Sequence, residues 1–168
     1  FNANINSAGE GYRPNIYVYK DVAYFVYNDA DWDSYVGAIN IYSGEMTPPT
    51  LVQSGDESHE LPTIIVSDDG YIIISVESNH NHAMTIHKSV NPEDISLFSP
   101  TNYTPGVYNM GYCCFHKNSD GSIVITGRCK EDISGSNYNA IGAWISVDSG
   151  DNWNRIGDYI ANFGTVNT

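Results

Sequence analysis

The apolar residues of this chain fall in short runs separated by polar turn formers. Asn15–Tyr19, Val22–Tyr27, Val36–Tyr42, Thr63–Val66, Tyr71–Val76, Ala83–His87, Ser122–Thr126 and Ala140–Ile145 are rich in Val, Ile and aromatic side chains, which suit a pleated, half-buried surface. No stretch sustains the period that an amphipathic helix needs. Lys20-Asp21, Ser67-Asp68-Asp69-Gly70 and Ser119-Asp120-Gly121 stand between runs. Such residues bond their own backbone or accept positive φ, as hairpin turns require. The pattern predicts an all-β chain built from hairpins.

Aligning the hairpins by their turns exposes a repeat. A polar residue leads each first strand: Arg13 before Pro14-Asn15-Ile16-Tyr17, His59 before Leu61-Pro62-Thr63-Ile64, and Tyr112 before Cys113-Cys114-Phe115. Arg13 to His59 is 46 residues, and His59 to Tyr112 is 53. That period accommodates four short antiparallel strands, the content of one β-propeller blade. Residues 1–168 are therefore read as a single β-propeller segment with blades at about 10–54, 55–101 and 102–165. Closed propellers use roughly four to eight blades, so the remaining blades are expected from the same longer chain or from other subunits. A twelve-stranded sandwich is the structural alternative.

Register sharpens this into candidate chemistry, because residues facing each other across an antiparallel hairpin share a constant index sum. Pairing Asn118 with Ser122 puts Tyr112 opposite Arg128. Pairing Ser67 with Tyr71 puts His59 opposite Asn79 and beside His80. Pairing Tyr19 with Val22 puts Arg13 opposite Asn28. All three clusters lie at the hairpin end away from the turn, so in successive blades they line one cleft near the ring axis. His82, His87 and His116, taken singly, read as ordinary polar residues of strands and loops. A His59/His80/His82 metal site would rest on a His-Asn-His spacing that matches no zinc pattern. No cofactor is predicted, and a structural or charge-neutralising divalent metal stays open.

Composition narrows the partners. Seven Lys plus Arg against twenty Asp plus Glu give a formal charge of -13, and nucleic-acid binding needs the clustered cations this chain lacks. No apolar run approaches the ~20 residues of a membrane span. Neither nucleic acid nor membrane is expected as a partner. The acidic, Tyr-rich, Lys-poor composition suits a secreted or extracellular, surface-exposed setting. The chain begins at Phe1 with no basic or apolar leader, as a processed or partial chain would. Three cysteines, Cys113, Cys114 and Cys129, have no metal-type spacing and are read as buried thiols on neighbouring strands, with a cross-strand Cys113–Cys129 bridge as the alternative.

The segments Asp56-Glu57-Ser58-His59-Glu60-Leu61-Pro62, Asp69-Gly70-Tyr71-Ile72, Asn79-His80 and Lys88-Ser89-Val90-Asn91-Pro92-Glu93-Asp94-Ile95 resemble the BNR-repeat group that contains the ulvan lyases. The resemblance covers most of residues 10–153. It implies a seven-bladed propeller and a polysaccharide lyase, with His59, His80, Tyr112 and Arg128 in the catalytic positions; Arg13, Asn28 and Asn79, which the register alone brings to the same cleft, are read as substrate-binding. Two departures stand out: Glu60 replaces the Asn that usually follows the first His, and His87-Lys88 replaces the Arg that usually precedes the Ser of the third strand. Ser146-Val147-Asp148-Ser149-Gly150-Asp151-Asn152-Trp153 also resembles the Asp box of sialidase-like propellers. In that pattern Ser146, Asp148, Gly150 and Trp153 are structural, forming a turn between outer strands.

The chemistry implied is β-elimination on an acidic, uronate-containing polysaccharide such as ulvan. The C5 proton of a uronate leaves only if its carboxylate charge is neutralised, which suits the bidentate fork of Arg128. A phenol beside a guanidinium is a reasonable acid or base, which suits Tyr112, while His59 and His80 have no unique assignment between them. Two other readings remain. One is a non-catalytic carbohydrate-binding or adhesion propeller, such as a virion-fibre or cell-surface component. The other is a sialidase-like glycoside hydrolase, which would need three carboxylate-binding arginines where this chain has only Arg13, Arg128 and Arg155. Arg155 follows the Asp box and is expected to point away from the cleft.

Overall fold

The computed structural model describes residues 15–55, 61–76, 84–103, 111–131 and 137–160, with backbone alone at 102–103, 129–131, 137–140 and 157–160. Among these residues every regular element is a strand. The first sheet has the order β1-β2-β3-β4, formed by Ile16–Tyr19, Val22–Asn28, Ser34–Asn40 and Met46–Gln53. Pro62–Val66, Ile72–Val76, Thr85–Ser89 and Phe98–Pro100 form the second, β5-β6-β7-β8. In the third, Gly111–Lys117, Ile123–Glu131, Asn137–Ser146 and Asn152–Ile160 form β10 to β13, and Asn102–Tyr103 adds β9 in parallel at the outer edge of β13. Each sheet is an antiparallel meander of four strands, the construction of a propeller blade.

Alternation along the strands explains how the blades stack. Strands β5 and β6 are buried on both faces, because successive side chains point to opposite sides of the second blade. Ile64, Val66, Ile72, Ile74 and Val76 meet Tyr24, Val26, Val36 and Ala38 of the first blade. Ile65 and Ile73 point the other way and join Cys113, Phe115, Ile123, Ile125, Trp144 and Trp153 of the third. The core is therefore two inter-blade layers. A middle blade apolar on both sides cannot alternate apolar with polar, which accounts for the continuous runs Thr63–Val66 and Ile72–Val76.

Polar contacts lock the turn ends of the blades together. The Tyr19 hydroxyl donates to the Asp68 carbonyl at 2.9 Å, Lys20 pairs with Glu93, and Lys117 reaches the Val66 carbonyl at 3.0 Å and Asp68 at 2.8 Å. Ser149 donates to Asp69 at 2.9 Å. Burial pushes the Asp69 carboxyl up, but hydrogen bonds from Ser67 and Ser149 and the nearby Lys88 charge outweigh it and hold it below the usual carboxylate range.

The Ser146–Trp153 turn joins β12 to β13. Ser146 donates to Asp148 at 2.8 Å and accepts the Gly150 amide at 2.8 Å, and Asp148 accepts the backbone and side-chain amides of Asn152 at 2.9 and 2.7 Å. Gly150 has φ +90, and a Cβ there would lie 2.6 Å from Ile73 Cδ1. Only glycine lets this backbone press against the second blade. Trp153 is 1% exposed, lies 5.9 Å from the Phe115 ring and donates its indole N–H to the Gly150 carbonyl at 3.0 Å.

Several sequence expectations change in detail. Strand β4 lies outside the predicted runs, because Pro48-Pro49 mask it. The prolines are tolerated at the sheet edge, where the pairing with β3 shifts between Val36 and Ala38. The run predicted at Val36–Tyr42 ends at Asn40, whose side chain accepts the Tyr42 and Ser43 amides and turns the chain. Cys113 is buried and in no disulfide, so the Cys113–Cys129 bridge is not formed. Cys113 Sγ instead lies 3.4 Å from Met84 Sδ, and Cys114 is half-buried rather than buried.

Candidate functional site

The first two hairpins keep the predicted index sums as far as they are described. Tyr19 faces Val22 and Ile16 faces Phe25; Val66 faces Ile72 and Pro62 faces Val76. Arg13, His59, Asn79 and His80, and with His82 the proposed metal grouping, lie outside the described residues. Among the described residues no group of three His, Cys, Asp or Glu side chains gathers in a metal-binding cluster. Asn28 is described and fully buried. Its amide nitrogen donates to the Trp32 carbonyl at 2.7 Å and contacts Ser34 Oγ at 3.2 Å. This holds the β2–β3 connection from within rather than presenting the amide at the surface.

The third hairpin brings Tyr112 and Arg128 together by a route the index sum does not describe. Lys117 faces Ile123 and Cys114 faces Thr126, as predicted, but then the register shifts and Arg128 faces Gly111. Tyr112 and Cys113 together oppose Gly127, which is a β-bulge. Tyr112 takes φ +57, a left-handed backbone that a bulky residue adopts only when its surroundings impose it. Those surroundings are visible: Cys113 is fully buried against Met84 of the second blade, while Tyr112 is 49% exposed. The bulge lets one side chain enter the core and turns its neighbour out. The Arg128 guanidinium carbon then lies 4.8 Å from the centre of the Tyr112 ring, within cation–π range. The predicted neighbours meet, with the ring beneath the cation.

The remaining candidates serve the fold. Arg155 lies 5.1 Å from the ring of Trp144, a buried residue of the layer between the second and third blades. His116 is exposed and contacts Thr126 Oγ1 at 3.3 Å. His87 is half-buried at the seam between the first two blades, where its Nε2 lies 3.0 Å from Gln53 Oε1 and 3.2 Å from Thr85 Oγ1. Gln53 ends β4, the strand that the apolar pattern does not reveal, so this link has no signal in the sequence.

Burial holds the His87 imidazole below its ordinary value of 6.5. The folded state then binds the proton less readily than the unfolded one, so the stabilising contribution is complete above pH 6.5 and is lost as pH falls through the depressed folded value. Thermal stability measured from pH 7.5 to 5 is expected to fall, and His87→Gln is expected to flatten that part of the profile. An unchanged profile in the variant would exclude His87 as the source.

The fold and this strand-end pair define a segment of three β-propeller blades carrying a Tyr–Arg pair at the end away from the hairpin turns. The chain belongs to the BNR repeat-containing family, whose model matches residues 22–167. Comparison with curated proteins finds no match. Solved structures similar to it include an ulvan lyase of polysaccharide lyase family 25 bound to -[GlcA(1-4)Rha3S]-, with TM-score 0.69 and 20% identity over 86% of this chain and 37% of that one. The same lyase family without a bound sugar gives TM-score 0.69 at 21% identity, again over 86% and 37%. Polysaccharide lyase Uly1 gives TM-score 0.64 at 12% identity over 90% of this chain and 42% of its own. At these identities the likeness is one of fold, and the chain spans about two fifths of each lyase's length.

Proposed function

We propose that this chain is part of a secreted polysaccharide lyase that cleaves an acidic, uronate-containing polysaccharide of the ulvan type by β-elimination. The observation that carries the reading is Tyr112, half-exposed on a strained bulge with the Arg128 guanidinium 4.8 Å from its ring. The family-25 lyase that shares the fold was solved with an acidic disaccharide repeat. In this reading Arg128 binds the uronate carboxylate and withdraws the charge that would otherwise oppose carbanion formation at C5. A base removes the C5 proton, the electron pair forms the C4=C5 double bond, the C4–O bond breaks, and the departing oxygen takes a proton. Tyr112 supplies one or both proton transfers, with His59 and His80 completing the acid–base set and Arg13 and Asn79 holding the sugar. Asn28 acts from behind, fixing the β2–β3 connection.

The remaining blades of the ring come from the same longer chain or from other subunits. With a net charge of -13, attraction of a polyanion rests on local cations such as Arg128.

Incubation of the longest natural form with ulvan, followed by ultraviolet absorbance of the unsaturated uronate, tests the reading. Elimination leaves a conjugated C4=C5 bond and a rising signal, whereas hydrolysis leaves none. Glycan binding without any rise with ulvan or other uronate polymers would favour the adhesion propeller over the lyase.

A further inference from the structure

At the turn end of the blades, opposite Tyr112 and Arg128, a cavity of about 430 Å³ opens between the outer strands of the second blade and the Ser146–Trp153 turn. Tyr71, Lys88, Ser99, Thr101, Asp151 and Asn152 line it. The volume lies within the roughly 300–1,000 Å³ of small-ligand sites. Arg128 stands five residues along β11 from Ile123 at the turn end, about 17 Å at the strand rise. The two sites are therefore separate.

The walls specify the ligand. Lys88, with only 10% of its side chain exposed, pairs with Asp151 at 2.8 Å and lies 4.0 Å from the centre of the Tyr71 ring. The Asp151 side chain is 62% exposed. Charges that cancel across the cavity offer an anion no net attraction, and the overall charge of -13 opposes one. An apolar ligand would bury the ion pair without replacing its water contacts. Hydroxyls, an amide, an ammonium and a carboxylate gathered in one place both donate and accept hydrogen bonds. That matches the vicinal hydroxyls of a sugar ring, whose C–H faces can rest on Pro100, also in the wall.

We propose that this cavity is a carbohydrate subsite that takes a neutral pyranose unit, distinct from the Tyr112–Arg128 end and not dependent on elimination there. Titrating the protein with methyl β-D-glucopyranoside while recording amide ¹H–¹⁵N spectra is expected to give saturable, millimolar-range shifts at Lys88, Ser99, Thr101, Asp151 and Asn152. Ser99→Trp, which fills the mouth from an exposed position on the short edge strand β8, is expected to weaken them roughly tenfold or more. Its amide spectrum away from the cavity and its turnover of ulvan should stay unchanged. The proposal fails if no saturable shifts occur, if they appear only near Tyr112 and Arg128, or if sodium glucuronate or sodium sulfate gives equal or stronger shifts at the cavity. A protein that shows the cavity shifts but no elimination overturns the lyase reading and leaves this one standing.

Discussion

Tyr112→Phe is expected to abolish elimination while leaving the blades folded. The substitution removes one oxygen and keeps the ring that Arg128 overlies at 4.8 Å, so the cation–π contact and the bulge persist and only proton transfer is lost. A positioned acid or base contributes about 10²–10⁴-fold to rate, and a group serving both steps belongs at the upper end. The expected result is a fall in kcat of that order, with an unchanged melting temperature and retained affinity for ulvan. Wild-type turnover in the variant would remove Tyr112 from the mechanism. Loss of substrate binding with it would make the phenol a binding group instead.

The largest expected effect on stability lies at the other end of the blade. Trp153→Ala empties a site that is 1% exposed in the layer between the second and third blades. It also removes the indole donor to the Gly150 carbonyl. Burying so large a side chain and then deleting it costs about 3–5 kcal/mol, a large part of the roughly 5–15 kcal/mol that holds a typical domain together. Denaturant unfolding is expected to register a loss of that size. The damage should spread to the second blade, because Gly150 holds its turn against Ile73. A loss under about 1 kcal/mol would show that the inter-blade layer can close over the gap.

The two predictions draw on parts of the molecule that were unequally legible. Strands with a strong apolar signature, such as Pro62–Val66 and Ile72–Val76, announce themselves because both faces are buried. The hairpin turns fix their own register, so the pairs at Tyr19–Val22 and Val66–Ile72 follow from counting. Edge strands are harder. Strand β4 carries two prolines and is largely exposed, and nothing local distinguishes it from a loop.

The candidate site was legible in its residues but not in its geometry. Counting brings Tyr112 to Arg128, yet the bulge that orients them arises where Cys113 packs on Met84, 29 residues away in the chain. A contact between blades cannot be read from the strand that it distorts. The same reason hides the Gln53–His87 link across the first seam, whereas Asn28 is taken up by its own blade, its amide turning inward to Trp32 and Ser34 across the β2–β3 connection. The contact of Arg155 with Trp144 likewise has no signal in the strand pattern.

The most direct test of the central claim is a crystal structure of the Tyr112→Phe protein, in its longest natural form, with an ulvan oligosaccharide. The account predicts a uronate whose carboxylate is bound by the Arg128 guanidinium and whose C5–H faces the edge of residue 112. A sugar bound elsewhere, or one whose carboxylate points away from Arg128, would contradict it.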